Sequence, residues 1–256
     1  MTTGELVHRS VTGRVARVTL DRPPLHILNI PMIQEFTRTL DQVEREKTVV
    51  CIIGATGEKA FSAGVDIRDH TPEKVPEMIK NFHGLIRKIM TLECVTIAAV
   101  RGVALGGGFE VALACDMIVA EEGATFGSPE IWLACFPPIA AVVLPRHISP
   151  QKARELVLSG EPITAAEAAQ LGILNALAPR HELEQSLSRF IARFTEKSGA
   201  ALRLAKRALR VSEESGFTGA LGEIERLYLE DLMHTRDARE GVQAYIEKRN
   251  PKWEDR

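Results

Sequence analysis

Apolar and polar residues alternate near the start of the chain and then change to a helical period. Residues 15–20 alternate strictly, which predicts a half-buried strand that a following proline pair ends. Asn29 predicts a helix N-cap just before Pro31, and apolar residues then recur at spacings of 3, 4 and 3 from Ile33 to Val43. The chain therefore opens with a strand that is followed by an amphipathic helix.

The middle of the chain alternates between continuous apolar runs and helical patterns. Two runs, 49–55 and 95–103, predict fully buried strands of the parallel kind, and 117–120 predicts a third strand. Helical periods at 78–89 and 109–115 separate these strands. Strands that alternate with helices favour an α/β fold with largely parallel pairing.

The pattern from about residue 149 onward is mainly helical. Ser149 begins a helix that Gly160 ends, and Thr164 with Glu167 forms a capping box at the start of the next one. A further short strand is expected near 173–177. Two longer helical stretches follow, at 181–211 and 217–247.

The length of the chain supports one core with a helical appendage. A chain of 256 residues buries roughly 70–75% of its unfolded surface, so it needs no disulfide or metal to hold a core. Short connections and the absence of a flexible linker argue against two independent domains. We expect an α/β core at 1–180 and a helical C-terminal region at 181–256.

Charge and cysteine content exclude several classes of protein. The formal net charge of −2 argues against a globally basic nucleic-acid binder. The four cysteines lie 43, 21 and 20 residues apart, which favours free thiols in a reducing compartment over a disulfide framework or a zinc site. The first ten residues lack the apolar segment of a signal peptide, and the longest apolar stretch, 134–145, is too short to span a bilayer. We expect a cytoplasmic protein without a metal site that binds neither nucleic acid nor membrane.

The turn at 59–67 is the first of three that could carry chemistry. It follows a buried strand, and Gly64 can adopt a positive φ there. Such a turn can leave the amide of Val65 pointing into a cleft as a free donor. Taken alone, however, the pattern Ala-Gly-x-Asp favours a surface loop in which Asp66 is a cap.

The second turn contains three successive glycines, 106–108, between a buried strand and a helix. They permit a very close approach to a ligand and expose amides at the positive end of the helix dipole. The spacing fits neither the dinucleotide fingerprint nor the P-loop. The alternative is close packing of strand on helix, with Glu110 as an ordinary first-turn acid. Three glycines cost more backbone entropy than packing alone requires, which favours a functional role.

The third turn, 126–130, ends in Ser128, Pro129 and Glu130, the cap, proline and acid of a common helix start. By itself it indicates structure only. Together, the three turns supply two loop amides and two carboxylates at strand-to-helix turns. The carboxyl ends of parallel strands are where α/β proteins place their ligand sites.

Four motifs in this order resemble the crotonase (enoyl-CoA hydratase/isomerase) superfamily. They are A-G-x-D-I at 63–67, G-x-A-L-G-G-G-x-E at 102–110, F-G-x-P-E at 126–130 and S-G-x-x-[IV]-x-A-x-E-A at 159–168. The resemblance covers most of the chain and implies a spiral of ββα units in two roughly perpendicular sheets, with a helical C-terminal region used in trimerisation. It also implies an acyl-CoA substrate, a homo-oligomer (a trimer or a dimer of trimers), and no cofactor, since coenzyme A is part of the substrate.

The resemblance also assigns roles to individual residues. The backbone amides of Val65 and Gly107 would form an oxyanion hole, and Glu110 and Glu130 match the two carboxylates that hold the water of a hydratase. We therefore expect addition of water to, or its removal from, an α,β-unsaturated acyl-CoA thioester through an enolate. Coenzyme A would be held by the backbone of the first turn, with an arginine meeting its phosphate: Ala63, Val65, Asp66, Ile67 and Arg68.

One segment departs from the family's hydratases for linear chains. Those enzymes usually follow F-G-x-P-E with a loop that ends in P-G-A-G-G-T, where this chain has P-P-I-A-A-V at 137–142. The loss of glycines changes the wall that faces the acyl group. Together with R-P-P-L-H-I-L-N at 22–29, the segment is similar to the cyclohexa-1,5-diene-carbonyl-CoA hydratases of anaerobic aromatic degradation. His26 in this stretch is a candidate lining residue of the site.

Three other functions compete with the hydratase hypothesis. A Δ3-Δ2 enoyl-CoA isomerase is the closest, although the presence of both glutamates argues against it. Some crotonase relatives bind RNA through a basic helix, for which 203–210 is the candidate, but this segment lacks aromatic residues for base stacking. A nucleophilic hydrolase is disfavoured because neither Ser62 nor Ser128 lies in a G-x-S-x-G context.

Overall fold

The fold is taken from a computed structural model that describes residues 5–214 and 216–256. Residues 1–4, part of the N-terminal segment without a signal-peptide pattern, lie outside the described residues. The strands within the described ranges are β1 Val7–Thr12, β2 Val15–Leu20, β3 Val50–Ala55, β4 Ala60–Ser62, β5 Val95–Val100, β6 Val103–Leu105, β7 Met117–Glu121, β8 Thr125–Gly127, β9 Ile163–Thr164 and β10 Ala176–Ala178.

The helices follow the same numbering along the chain. The α-helices are α1 Ile30–Arg45, α2 Val75–Thr91, α3 Gly107–Leu113, α4 Pro138–His147, α5 Pro150–Ser159, α6 Ala165–Gln170, α7 Leu183–Thr195, α8 Gly199–Glu214, α9 Phe217–Arg226 and α10 Arg236–Ile246. Short 3₁₀ helices cover Ile67–Asp69, Pro129–Leu133 and Leu232–His234, and a π-helical turn covers Leu227–Asp231.

A six-stranded sheet in the order β1-β2-β3-β5-β7-β10 forms the main layer. All pairings in it are parallel except the antiparallel hairpin of β1 with β2. Helices α1 and α2 pack together on the core that covers one face, while α7 contributes Leu183, Leu187 and Phe190 to the core on the other. A sheet covered on both faces requires the continuous apolar strands seen in the sequence. The predicted α/β fold is confirmed.

A second sheet, with four strands in the order β4-β6-β8-β9, gives the chain the spiral course that the resemblance implies. Three times in succession the chain runs a strand in the large sheet and then a short strand in the small one, as β3 to β4, β5 to β6 and β7 to β8. The first two pairs each lead into a helical segment that returns the chain to the large sheet, whereas after β8 the chain adds β9 to the small sheet before β10 rejoins the large one. This is the repeated ββα unit that the crotonase resemblance implies.

The single buried strand predicted at 95–103 is wrong, because the chain leaves the large sheet at Gly102. This glycine has a φ of +65°, and a Cβ atom there would lie 2.1 Å from the carbonyl oxygen of Lys59. Only glycine permits both the left-handed backbone and this close approach. The sequence run is therefore divided between β5 and β6, which belong to different sheets.

The two long C-terminal helices predicted at 181–211 and 217–247 are each interrupted. The first stretch is broken between α7, which ends at Thr195, and α8. Ser198 caps α8, because its hydroxyl oxygen accepts a hydrogen bond from the Ala201 amide. In the second stretch, the π-helical and 3₁₀ turns separate α9 from α10, which Thr235 caps. A continuous hydrophobic period does not reveal such breaks.

The boundary at residue 180 stays a prediction, and α7, which follows it in the chain, packs on the large sheet. The later helices α9 and α10 each contact α8, and α8 also contacts β5 of the large sheet. Within the described ranges, no helix combines the length and the apolar composition that crossing a membrane requires.

Candidate active site

The turn after β4 carries the backbone amide of Val65, the first amide of the candidate site. Gly64 has a φ of +103°, and Val65 forms an isolated parallel bridge with Leu28. The hydrogen bonds of this bridge run from the Leu28 N–H to the Gly64 carbonyl (2.9 Å) and from the Asp66 N–H to the Leu28 carbonyl (3.0 Å). These bonds use the Gly64 carbonyl and the Asp66 N–H, which lie on either side of Val65 in the chain. Within residues 5–214 and 216–256, the Val65 N–H has no protein acceptor.

The start of α3 presents the second amide. Gly107 is the first residue of the helix, where N–H groups lack intrahelical partners, and its N–H has no acceptor in the part of the chain that the structure describes. A Cβ atom on Gly64 would lie 3.3 Å from the Gly107 nitrogen, and one on Gly107 would lie 2.7 Å from Cγ2 of Val65. The two turns therefore meet, with two free donors side by side.

Glu110 lies on the first turn of α3 and is almost fully buried, with 2% of its surface exposed. Its Oε1 accepts hydrogen bonds from the backbone amides of Ile139 and Ala140, each at 2.9 Å, which belong to the first turn of α4. Burial raises the pKa of Glu110 to about 7, the two amides oppose this rise, and the negative charge of Glu130 adds to it.

Glu130 lies on the 3₁₀ helix Pro129–Leu133 and approaches the same turn. Its Oε1 occupies the space that a side chain on Gly106 would need, since a Cβ atom there would lie 2.9 Å away. Its Oε2 is buried and has no hydrogen-bond partner among the described residues. Burial raises the pKa of this carboxyl as well. An unpartnered buried carboxylate oxygen is costly and marks a place for a proton, a water molecule or a substrate.

The site thus combines two kinds of group that serve different chemistry. Two adjacent amides can stabilise negative charge on a carbonyl oxygen, and two buried carboxyls with raised pKa values can act as proton donor and acceptor. The Coulombic influence of Glu130 on Glu110 shows that the carboxyls share one environment. The three turns that the sequence singled out are therefore brought together.

The segment 66–68 confirms the capping role of Asp66. Asp66 is buried, and its Oδ1 accepts from the Arg68 amide at 3.1 Å as the cap of the 3₁₀ helix Ile67–Asp69. Arg68 also binds both carboxylate oxygens with its guanidinium, at 2.9 and 2.7 Å. These bonds lower the pKa of Asp66 to about 2. Arg68 and Ile67 are nonetheless exposed, so both can contact a ligand at the surface.

His26 is buried inside the loop that follows β2, with 1% of its surface exposed. The Arg22 N–H donates to Nδ1 at 3.0 Å, so this nitrogen carries no proton, and Nε2 donates to the Thr56 carbonyl at 2.9 Å. Burial lowers the pKa of the ring. Both ring nitrogens are occupied by backbone groups, so His26 has none to offer a substrate.

The sequence reasoning missed three groups that support the site. The amides of Ile139 and Ala140 bind Glu110, and the Ser62 hydroxyl binds the turn at Gly64. A proline pair before an apolar run is a signal for a helix N-terminus, whose amides are free, so Pro137 and Pro138 could have indicated the first two. Nothing local in the sequence indicates the bond made by Ser62.

The structure also corrects the prediction that Ser128 caps a helix. A 3₁₀ helix does begin at Pro129, but the backbone of Ser128 has a ψ of 78° and its side chain makes no capping bond. The hydroxyl is buried without a hydrogen-bond partner among the described residues. An N-cap needs the more extended backbone found at Thr164, whose ψ is 160°.

Three of the four basic residues of α8 are committed to internal hydrogen bonds, which weakens the RNA-binding alternative. Lys206 is buried and binds the Asp116 carboxylate at 2.6 Å and the Cys94 carbonyl at 2.9 Å. Arg203 and Arg210 each donate to a backbone carbonyl. A cationic surface for phosphates would need these side chains free.

Known proteins are similar to this chain over nearly its whole length. A model of the enoyl-CoA hydratase/isomerase family matches residues 10–256. Cyclohexa-1,5-dienecarbonyl-CoA hydratase of Thauera aromatica is 34% identical over 244 residues, covering 95% of this chain and 94% of the relative. A probable enoyl-CoA hydratase of Bacillus subtilis is 35% identical and covers 93% and 95%, respectively. The crystal structure of enoyl-CoA hydratase from Bacillus anthracis matches with a TM-score of 0.93 at 32% identity, covering 98% of this chain and 100% of that one.

The fold and the full-length relatives define an enzyme of the crotonase class, and the prediction of a hydro-lyase of the enoyl-CoA hydratase type is confirmed. The chain belongs to the enoyl-CoA hydratase/isomerase family.

Proposed function

We propose that this enzyme adds water to, or removes it from, an α,β-unsaturated acyl-CoA thioester, with Glu110 and Glu130 as its acid–base pair. The observation that carries the proposal is the pair of amides, Val65 and Gly107, that lack an acceptor among the described residues and lie beside two buried carboxyls whose pKa values are raised. Coenzyme A enters as part of the substrate, and the proposal invokes no separate cofactor.

The thioester oxygen is placed between the Val65 and Gly107 amides. When a water oxygen forms a bond to the β-carbon, the electron pair of the double bond moves toward the carbonyl, whose oxygen becomes negative. Two preorganised N–H donors stabilise this enolate, and removing one such donor costs roughly 3–4 kcal/mol in comparable enzymes. The thioester carbonyl forms again when the α-carbon takes up a proton and the enolate loses its negative charge.

The position of each carboxyl suggests its role. Glu130 packs against Gly106, the neighbour of the oxyanion amide, so it is close to the carbonyl end and donates the proton to the α-carbon. Glu110 accepts the proton that the attacking water loses, for which a pKa of about 7 is well suited. At the end of the turnover Glu110 is protonated and Glu130 is ionised, and proton exchange restores both.

Coenzyme A is placed along the first turn in this proposal. The backbone of Ala63, Val65, Asp66 and Ile67 contacts the adenine and pantetheine, and the exposed Arg68 meets a phosphate. Arg68 already pairs with Asp66 but remains 78% exposed, which leaves donors for an anion.

We further propose a cyclic dienoyl-CoA as the acyl substrate. The segment 137–142 forms the N-terminus of α4 and holds Glu110, where the family's linear-chain hydratases have a glycine-rich loop. The relative from Thauera aromatica, whose name states a cyclic dienoyl substrate, supports this assignment.

Ultraviolet absorbance of the conjugated thioester tests the function and the substrate together. The enzyme is incubated with crotonyl-CoA or with cyclohexa-1,5-dienecarbonyl-CoA, and the loss of conjugation is followed. We expect water addition, with a higher kcat/KM for the cyclic dienoyl thioester. A strong preference for crotonyl-CoA would overturn the cyclic assignment, and migration of the double bond without water addition would favour the isomerase.

A homo-oligomer and a cytoplasmic location complete the proposal. Large apolar side chains of the C-terminal region are exposed in the single chain, including Phe217 at 83% and Tyr245 at 87%. Exposed apolar patches of this kind commonly form interfaces. We assign them to a trimer or a dimer of trimers.

A further inference from the structure

The Ser62 hydroxyl connects the loop after β2 to the turn after β4. This turn, residues 63–66, is here called the oxyanion turn because it carries the Val65 amide. Ser62 is fully buried, and its Oγ donates to the His26 carbonyl at 2.8 Å while it accepts from the Gly64 N–H at 3.1 Å. The next amide along the chain is that of Val65. One hydroxyl therefore fixes the peptide that precedes the oxyanion donor.

The loop that Ser62 binds is itself a tightly held element, here called the His26 loop and defined as residues 22–29. It pairs with the oxyanion turn at three points besides Ser62. The Ala63 N–H donates to the Leu25 carbonyl at 2.9 Å, and Leu28 bridges Gly64 and Asp66. The His26 loop thus lies alongside the turn like a short extra strand.

His26 holds this loop in shape from inside. Its ring connects the Arg22 N–H to the Thr56 carbonyl, and its backbone has a φ of +47°. Positive φ is uncommon outside glycine, although His, Asn and Asp adopt it more often than other residues. The neutral ring satisfies one backbone donor and one backbone acceptor at once, which a protonated ring cannot do.

We propose that Ser62 and His26 are positioning residues that aim the Val65 amide at the thioester oxygen. The proposal rests on the oxyanion role of Val65 given under Proposed function. His26 fixes the loop, the loop carbonyl accepts the Ser62 hydroxyl, and the hydroxyl fixes the Gly64 peptide. A donor that tilts away from the oxygen loses most of its stabilising effect, because hydrogen bonds weaken steeply with angle.

The thioester carbonyl itself reports on the oxyanion hole. A saturated thioester, butyryl-CoA or cyclohexanecarbonyl-CoA labelled with ¹³C at the carbonyl, binds without reacting. Hydrogen bonds from the two amides polarise its carbonyl, which shifts the ¹³C resonance and lowers the stretching frequency. This signal depends on the aim of the amides and does not depend on Glu110 or Glu130 chemistry.

The variants S62A, S62C, H26A and H26Q test this series of hydrogen bonds from His26 to Gly64. We expect S62A to lose more than half of the carbonyl shift and to lower kcat about tenfold, with KM changed less than twofold. S62C keeps a weak donor and acceptor and is expected to fall between S62A and the unmodified enzyme, as is H26Q, whose amide can reach the Thr56 carbonyl. H26A removes both ring bonds and is expected to behave like S62A.

Ser198 provides the matched control. It is also a buried serine whose hydroxyl donates to one group, the Asp237 carboxylate, and accepts from a nearby backbone amide, that of Ala201. S198A should lose comparable stability and keep the full carbonyl shift.

The outcomes separate this proposal from the proposed function. If S62A keeps the full carbonyl shift and the full kcat, the positioning role is wrong while the hydratase function stands. If S198A loses the shift as much as S62A, the effect is one of general stability and the positioning role is again overturned. If the unmodified enzyme binds both thioesters without any carbonyl shift, the oxyanion hole itself is wrong, and the positioning role falls with it.

Discussion

Gly106, Gly107 and Gly108 are adjacent in the chain, but each lacks a side chain for a different reason. Gly106 has a φ of +52° and leaves room for the Glu130 carboxylate. A Cβ atom on Gly107 would meet Val65 and Phe82, and one on Gly108 would lie 2.2 Å from the Ser62 carbonyl oxygen. Of the two alternatives that the sequence left open, close packing holds at Gly107 and Gly108, and ligand approach stays a prediction.

Alanine substitutions should separate these reasons. We expect G106A to lower kcat by displacing Glu130, with a loss of about 1 kcal/mol in stability from the left-handed backbone. G108A should destabilise the fold by roughly 2–3 kcal/mol, because the clash is with fixed backbone. Urea denaturation and steady-state kinetics measure the two effects.

Gly84 is the control for this series. It lies inside α2, and a Cβ atom added there would meet no described atom within 4 Å outside the neighbouring backbone of its own helix, so G84A should gain about 0.5–1 kcal/mol and leave kcat unchanged. A G108A enzyme as stable as the unmodified one would contradict the packing role of that glycine.

The raised pKa of Glu110 makes the stability of the fold depend on pH. Folding raises this pKa from 4.5 to about 7, so the folded chain keeps a proton that the unfolded chain releases. The contribution of Glu110 is therefore favourable below about pH 4.5 and is lost as the pH rises through 7.

The variant E110Q removes this titration. Between pH 5 and pH 8 its free energy of unfolding should gain roughly 2–3 kcal/mol relative to the unmodified enzyme. Urea denaturation at several pH values measures the difference. A gap that stays constant across this range would show that burial does not raise the pKa of Glu110.

At the scale of elements, helix starts with similar sequence signals differ in structure. Thr164 and Glu167 form the predicted capping box at α6, with mutual hydrogen bonds of 3.2 and 2.8 Å. Ser128, followed by a proline and an acid, has a different but equally common helix-start pattern, and its side chain makes no capping bond. A cap depends on the backbone angle of one residue, which distant packing sets and a local pattern does not specify.

Matched alanine variants test this difference. T164A should destabilise the fold by about 1 kcal/mol through the lost cap. S128A should be neutral or slightly stabilising, because it removes a buried hydroxyl that has no partner among the described residues. Urea denaturation measures the free energy of unfolding of both variants. A larger loss of this free energy in S128A than in T164A would contradict the assignment of the caps.

The same reasoning explains which elements the sequence could predict. Long periodic helices such as α1 and buried strands such as β3 are predictable because their own side chains determine them. The short strands β4, β8 and β9 are two or three residues long and depend on pairing with distant partners. The three turns of the site could be found from their glycines and acids, whereas the bonds from α4 to Glu110 and from Ser62 to the His26 loop exist only in the assembled fold.

At the scale of the whole molecule, the exposed apolar surface of the C-terminal region predicts an assembly. We expect sedimentation equilibrium to give about three or six times the chain mass of 28.2 kDa. Charged substitutions at Phe217 and Tyr245 provide the comparison and should shift the distribution toward smaller species. A monomer at micromolar concentration would contradict the oligomer proposal.

The central claim is that two carboxyls with separate roles exchange protons beside an oxyanion hole. The most direct measurement is the rate of water addition by E110Q and E130Q, together with the Kd of each variant for a saturated acyl-CoA. General acid–base catalysis contributes about 10²–10⁴-fold, so each variant should lose at least about 99% of kcat and keep the Kd within about threefold. Near-normal turnover in either variant would contradict the role given to that carboxyl.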